Sequence, residues 1–283
     1  MQKILKQIAC FQKLKNNPMK KILFAIDFSL YTDHVFKFVH SLAAAFDAEL
    51  LMLNVFGIHM RPNESPDFDQ RTGIVIEKLK TFAKENIPDS SQVKINYLAK
   101  IGFPGDTILE TSEEEDVDLI VMGTKGESDV LDLYFGGVSM TIMNKSQRPV
   151  LLIPPTAKFN GWSQFGCTTN FSFDDLLVIN TLLKWSEKFN TVLNCLHVLE
   201  EDIDVAHSKV NILKDIFADR PIQFHIKSGS VKDVIEIFET EAHLGLLAMI
   251  HHHKSFAAHL IQGDLTKEVA TELKVPLLVF NIS

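Results

Sequence analysis

Phe24-Ala-Ile-Asp-Phe-Ser29 is matched 143 residues later by Cys167-Thr-Thr-Asn-Phe-Ser172, and Leu53-Asn-Val55 by Leu196-His-Val198 at the same offset. Farther along, Gly102, Gly136 and Pro149 are matched by Gly229, Gly263 and Pro276 at an offset of 127. Two constant offsets separated by one length change are what a duplicated domain produces. The 16-residue difference is expected in a longer connection of the first copy around Arg61–Arg71, where Pro62 and Pro66 stand.

Each copy reads as strands alternating with helices. In the first, Lys21–Ile26, Glu49–Phe56, Val93–Leu98, Leu119–Met122 and Val150–Ile153 are apolar runs of strand length. Between the first two, Val35, Phe38, Val39 and Leu42 follow the i, i+3, i+4, i+7 spacing of an amphipathic helix over Tyr31–Ala45. Gly73–Glu85, Thr107–Glu115 and Val138–Asn144 are the further helices expected. Strands joined by helical crossovers imply a parallel sheet covered on both faces, an α/β fold. The expected layout is an N-terminal extension at 1–18, a first domain at 19–155, a linker at 156–164 and a second domain at 165–283.

Composition narrows the function classes. A formal net charge of -8 disfavours duplex nucleic acid as a partner, which calls for a concentrated basic face. No apolar run reaches the ~18–20 residues of a membrane span. Cys10, Cys167 and Cys195 are odd in number and form no CxxC pair, which fits a reducing, cytoplasmic setting. Residues 1–18 carry four lysines and no acid, with apolar stretches too broken for a secretion signal, and Met19 opens the first strand directly. An over-long translation start is the preferred reading of that segment.

In an open α/β sheet, ligands bind where the carboxyl ends of the strands diverge. Asp27, Val55 and Gly123 stand at such ends. Gly123 and Gly126 are followed after nine residues by Gly136-Gly137-Val138-Ser139. Glycines let backbone approach a ligand, and the free N–H groups of a helix start can receive phosphate oxygens. No GKS or GKT follows, so this is not a Walker loop. The plain alternative, that the glycines merely make turns, stays open.

With these residues quoted, the sequence resembles the universal stress protein family. The G-x-x-G, nine residues, G pattern at Gly123, Gly126 and Gly136 is similar to that family's nucleotide signature. Lys20–Ser29 resembles its first strand, Gly102-Phe-Pro104 its turn before the third helix, and Gln147–Pro154 its last strand. The resemblance implies two tandem domains of adenine nucleotide alpha hydrolase-like, Rossmann-like fold, each with an open five-stranded parallel sheet. It also implies a stress-response, regulatory ligand-binding role, with ATP or another adenine nucleotide in the first copy and Mg accompanying it. Asp27 would meet the ribose or the cation, and the Val55 backbone would meet adenine. Gly123, Gly126, Gly136, Gly137, Val138 and Ser139 would hold the phosphates. Where nucleotide-binding members carry Ser or Thr after the third glycine, this chain has Gly137, and Ser139 lies two residues on. An interaction scaffold without nucleotide and a slow ATPase are the competing functions; no nucleophile–base set is evident for catalysis.

The second copy departs further. Asn170 stands in place of Asp27, Ile250 and His253 in place of Gly123 and Gly126, and Gly263 precedes an acid, Asp264. It is expected not to bind ATP in the family manner. His251-His252-His253, with His243 or His259, is a weak metal motif because adjacent side chains alternate in direction and no full ligand set accompanies them. Glu113–Asp116 reads as a solvated helix end. In the family a strand such as Val150–Ile153 pairs across a dimer interface, so 150–153 and 277–280 are expected to join the two copies as a pseudo-dimer.

Overall fold

The structure is a computed structural model; it describes residues 19–57, 68–88, 90–124, 137–159, 161–172, 174–199, 203–252 and 274–282. The chain divides into two compact units, Asn17–Ala157 and one that takes in Lys158–Ser283, with the boundary inside the expected linker.

In the first unit the chain runs β1 (Lys21–Ala25), α1 (Thr32–Phe46), β2 (Glu49–Phe56), α2 (Phe68–Asn86), β3 (Ile95–Ile101), α3 (Pro104–Glu114), β4 (Leu119–Gly123), α4 (Gly137–Lys145) and β5 (Val150–Ile153). The strands are parallel in the order β3-β2-β1-β4-β5. From β1 the chain steps outward to β2 and β3, then returns to the other side of β1 for β4 and β5. Right-handed crossovers therefore put α1 and α2 on one face and α3 and α4 on the other. Covered on both faces, the central strands bury every side chain of Ile22–Phe24, Leu50–Leu53 and Leu119–Val121.

The second unit runs β6 (Phe165–Thr168), α5 (Asp175–Lys188), β7 (Leu193–Val198), α6 (Ile203–Ile216), β8 (Ile222–Lys227), α7 (Val231–Glu241), β9 (Leu246–His252) and β10 (Leu277–Ile282). Its strands lie in the order β8-β7-β6-β9-β10, again parallel, which is the order of the first unit strand for strand.

The backbone repeats as well as the topology. Non-glycine residues with positive φ occur at Phe28 and Phe171 (58° and 53°), at Asp47 and Asn190 (54° and 53°), and at Asp116 and His243 (both 48°). The first two pairs keep the 143-residue offset and the third keeps 127. Left-handed backbone is unfavourable for L-residues other than glycine. Its recurrence at matched points places the same turns in both units. The helix faces fix where the offset changes: at 127, buried Leu79 and Ala83 of α2 fall on buried Ala206 and Val210 of α6. The extra length of the first unit is thus shared between the β2–α2 connection and the first turns of α2.

Two expectations shift. The third strand forms over Ile95–Ile101 rather than Val93–Leu98, since its register is set by pairing Leu50 with Ile95 through Phe56 with Ile101. The acidic run Glu113–Asp116 is not merely a solvated helix end. Glu115 pairs with Lys21 (2.7 Å), Glu114 with Lys100, and Glu113 and Asp116 both with Arg148 (3.1 Å each). The four acids share three cations from three neighbouring segments, so the run fastens the end of α3 to β1, to β3 and to the segment just before β5. A charge run read along the sequence has no visible partners; they are between 14 and 94 residues away.

Candidate functional site

At the carboxyl ends of β1, β2 and β4 the first unit opens into a cavity of about 620 Å³, a volume ordinary for small-ligand sites. Ile26 and Met122 line it together with Asp27, Val55, Gly123, Gly137, Val138 and Ser139. Six of the eight residues singled out from the sequence are thereby brought together; Gly126 and Gly136 lie outside the described residues.

Asp27 stands two residues beyond β1 on an exposed turn. Its Oδ1 accepts hydrogen bonds from the Ser29 N–H (3.0 Å) and the Thr32 hydroxyl (3.3 Å), which leaves Oδ2 unengaged among the described residues. This local bond spans the left-handed Phe28 and holds the turn in place.

Val55 offers backbone rather than side chain. In β2, Leu50 N–H bonds toward β3 and Leu53 C=O accepts Ile26 N–H from the β1 side, so even positions face β3 and odd positions face β1. Val55 is the next odd position, beyond the last β1 rung at Ala25–Leu53. The Ile26 carbonyl that would have met it is taken by the buried Asn54 Nδ2 at 2.7 Å. The Val55 N–H and C=O thus face the cavity as an adjacent donor and acceptor, the arrangement that matches the hydrogen-bonding edge of a planar heterocycle.

On the other side, α4 starts at Gly137, and the first N–H groups of a helix have no intrahelical acceptor. A Cβ added at Gly137 would meet nothing within 4 Å. The Ser139 hydroxyl is buried and makes a long 3.5 Å bond to the Gly123 carbonyl, so it ties the helix start to the β4 end.

Three cavity residues carried no sequence signal. Asn54 sits on a strand where only register reveals its bond. Phe28 follows Asp27 with nothing to mark its φ. Lys78 projects from α2 with its ammonium 3.7 Å from the Phe28 ring centroid, and it reads in sequence as one more solvated lysine.

The second unit keeps part of this plan. His197 stands where Asn54 does, and its Nδ1 bonds the Thr169 carbonyl at 2.9 Å, the counterpart of Ile26. The carboxylate, however, has moved. Asn170 replaces Asp27, and Asp175, at the position of Thr32, accepts from the Thr169 hydroxyl (2.5 Å), Asn170 N–H (3.0 Å) and Ser172 N–H (3.3 Å). Asp175 is fully buried, so its charge is spent within the turn. Phe171 is likewise buried, its ring 5.0 Å from His197 and 5.8 Å from Phe224. Ile250 pairs with Phe280 inside the sheet, as Gly123 does with Ile153. Of the histidine run, His251 is buried with its Nδ1 2.9 Å from Asn281 Oδ1, while His253, His259, Gly263 and Asp264 lie outside the described residues.

Comparison with known proteins adds to this geometry. Residues 18–154 match the model of the Universal stress protein family. A universal stress protein of Methanocaldococcus jannaschii is 25% identical over 154 residues, 47% of this chain and 94% of its own length. One from Thermus aquaticus is 28% identical over 134 residues, 47% of this chain and 98% of its own. Among solved structures, a universal stress protein from Archaeoglobus fulgidus superposes with a TM-score of 0.74 at 18% identity, over 93% of this chain and 96% of that one. A functionally unknown protein from Pseudomonas aeruginosa gives 0.67 at 11% identity, over 96% and 95%. At those identities the two structures speak for the fold alone: a Rossmann-like α/β arrangement of the universal stress protein type that extends through both units.

Proposed function

We propose that this chain, whose residues 18–154 carry a Universal stress protein family domain, is a tandem member of that family that binds an adenine nucleotide in its first domain and acts as a stress-response regulator. The observation that carries the reading is the Val55 backbone pair facing the same cavity as Asp27 and the start of α4. The donor and acceptor suit the N1 and N6 edge of adenine, Asp27 Oδ2 suits a ribose hydroxyl or a Mg ion, and the helix start suits phosphate. Domain boundaries at 19–155 and 165–283, joined by a 156–164 linker, and a cytoplasmic location belong to the same proposal. So does an intramolecular pseudo-dimer through strands 150–153 and 277–280.

The second domain is read as the non-binding half. Its buried Asp175 and Phe171 support a scaffold role for that half. The protein is proposed to change conformation or partner surface on binding rather than to turn its ligand over.

The test is mass spectrometry of small molecules released by denaturing freshly purified protein, followed by calorimetric titration with ATP and AMP. Asp27→Ala is expected to abolish binding, and Asn170→Ala to leave it intact. No binding of either nucleotide at millimolar concentration overturns the proposal in favour of the scaffold reading for both halves.

A further inference from the structure

We infer that Lys78 is a cation that helps the first-domain cavity accept a negatively charged nucleotide, and that it favours phosphorylated over unphosphorylated ligand; this rests on the nucleotide reading above. Among the described residues that line the cavity, Asp27 and Lys78 are the two that carry charge. Asp27 alone would make that lining net negative and would oppose a phosphate, whereas Lys78 brings it to neutrality. No carboxylate pairs with Lys78 among the described residues, so its charge is not already committed to the protein.

The lysine, though exposed, has one aromatic contact. Its ammonium lies 3.7 Å from the centre of the Phe28 ring, a cation–π contact. Phe28 packs edge-on against Phe82 (5.9 Å), which packs against Phe36 (5.3 Å), itself 6.1 Å from Phe24 in the buried heart of β1. The ring on which Lys78 rests is therefore braced from the core.

The second unit serves as an internal control. The register that overlays the buried faces of α2 and α6 puts Val205 where Lys78 stands, and Phe171 has His197 and Phe224 as ring neighbours instead of a lysine. At the matched position the cation is replaced by an apolar residue in the unit whose turn has also buried its carboxylate. Both members of the opposite-charge pair are thus particular to the first unit.

Affinities for ATP, AMP and adenosine would be measured on the full chain and on Lys78→Gln and Lys78→Arg, at about 0.05 and about 0.3 M salt. Lys78→Gln is expected to weaken ATP and AMP by about five- to tenfold at low salt, less at high salt, and to leave adenosine within about twofold. Lys78→Arg keeps the charge and is expected to retain phosphate preference. Equal loss for adenosine and ATP, or no change in any ligand while the parent binds, overturns the role of Lys78 and leaves the nucleotide reading standing. Failure of the parent to bind any of the three overturns both.

Discussion

Thr32 and Asp175 occupy the same place in two copies of one turn, each opening the first helix of its unit, and between them the carboxylate changes sides. In the first unit Thr32 donates to Asp27 at 3.3 Å, and that acid is exposed toward the cavity. In the second unit the acid is Asp175 itself, buried and fed by three donors at 2.5, 3.0 and 3.3 Å. The same fold thus buries one carboxylate wholly within its turn and leaves one oxygen of the other facing the cavity.

Unequal stability costs follow from that exchange. Asp175→Ala strands three donors in a buried turn and is expected to cost about 3 kcal/mol, whereas Thr32→Ala removes two long, part-buried bonds, to Asp27 and Ser29 (3.3 Å each), and should cost about 1 kcal/mol. Urea denaturation of both variants measures the difference.

Arg148 is the second structural anchor. Its guanidinium is buried and reaches Glu113, Asp116 and the Val117 carbonyl, the last at 3.0 Å. Arg148→Met should cost about 1–2 kcal/mol, chiefly by leaving the buried Val117 carbonyl without its donor, since Glu113 and Asp116 can turn to water. Arg148→Lys should recover little of it, because an ammonium cannot fork between them. Thermal unfolding of both proteins separates charge from geometry.

The Gly137 position invites a gain of function. Among the described residues no atom lies within 4 Å of where its Cβ would stand, which leaves room for a serine. Gly137→Ser adds a hydroxyl at the start of α4 and is expected to tighten ATP binding by about five- to tenfold, the worth of one hydrogen bond near charge. Adenosine affinity, read by the same titration, should not change.

Acid should weaken the fold through two histidines. Burial holds His40 below its ordinary value, and burial with the nearby Lys227 does the same for His225. A lowered folded-state pKa means that the unfolded chain takes up protons first. Their contribution is therefore complete above the ordinary histidine value of ~6.5 and declines as pH falls below it toward the folded values. Replacing both with Gln should flatten denaturation midpoints between pH 7 and 5, compared with the parent chain.

Cys167 and Cys195 face each other in register on β6 and β7, both buried and not disulfide-bonded. The neighbouring Cys195 thiol and burial push Cys167 well above the usual thiol range. Because both thiols are buried, iodoacetamide is expected to spare both in the native protein and to label both in guanidinium. Mass spectrometry of the two peptides reads the outcome.

The sequence by itself determined the duplication and the α/β class. Repeated landmarks at two offsets and the alternation of apolar runs depend on local chain chemistry, which is written in order along the chain. It also marked Asp27, Val55, Gly123, Gly137, Val138 and Ser139, because strand ends and glycines announce themselves. Tertiary structure decided what depends on residues far apart in the chain. The partners of Glu113–Asp116 lie on other elements, and the availability of the Val55 backbone follows from where β1 ends and where Asn54 reaches. The burial of Asp175 and the seating of Lys78 on Phe28 are likewise matters of packing. A side chain's charge is fixed by its identity, but whether that charge is spent on the protein or left for a ligand is fixed by what folds against it.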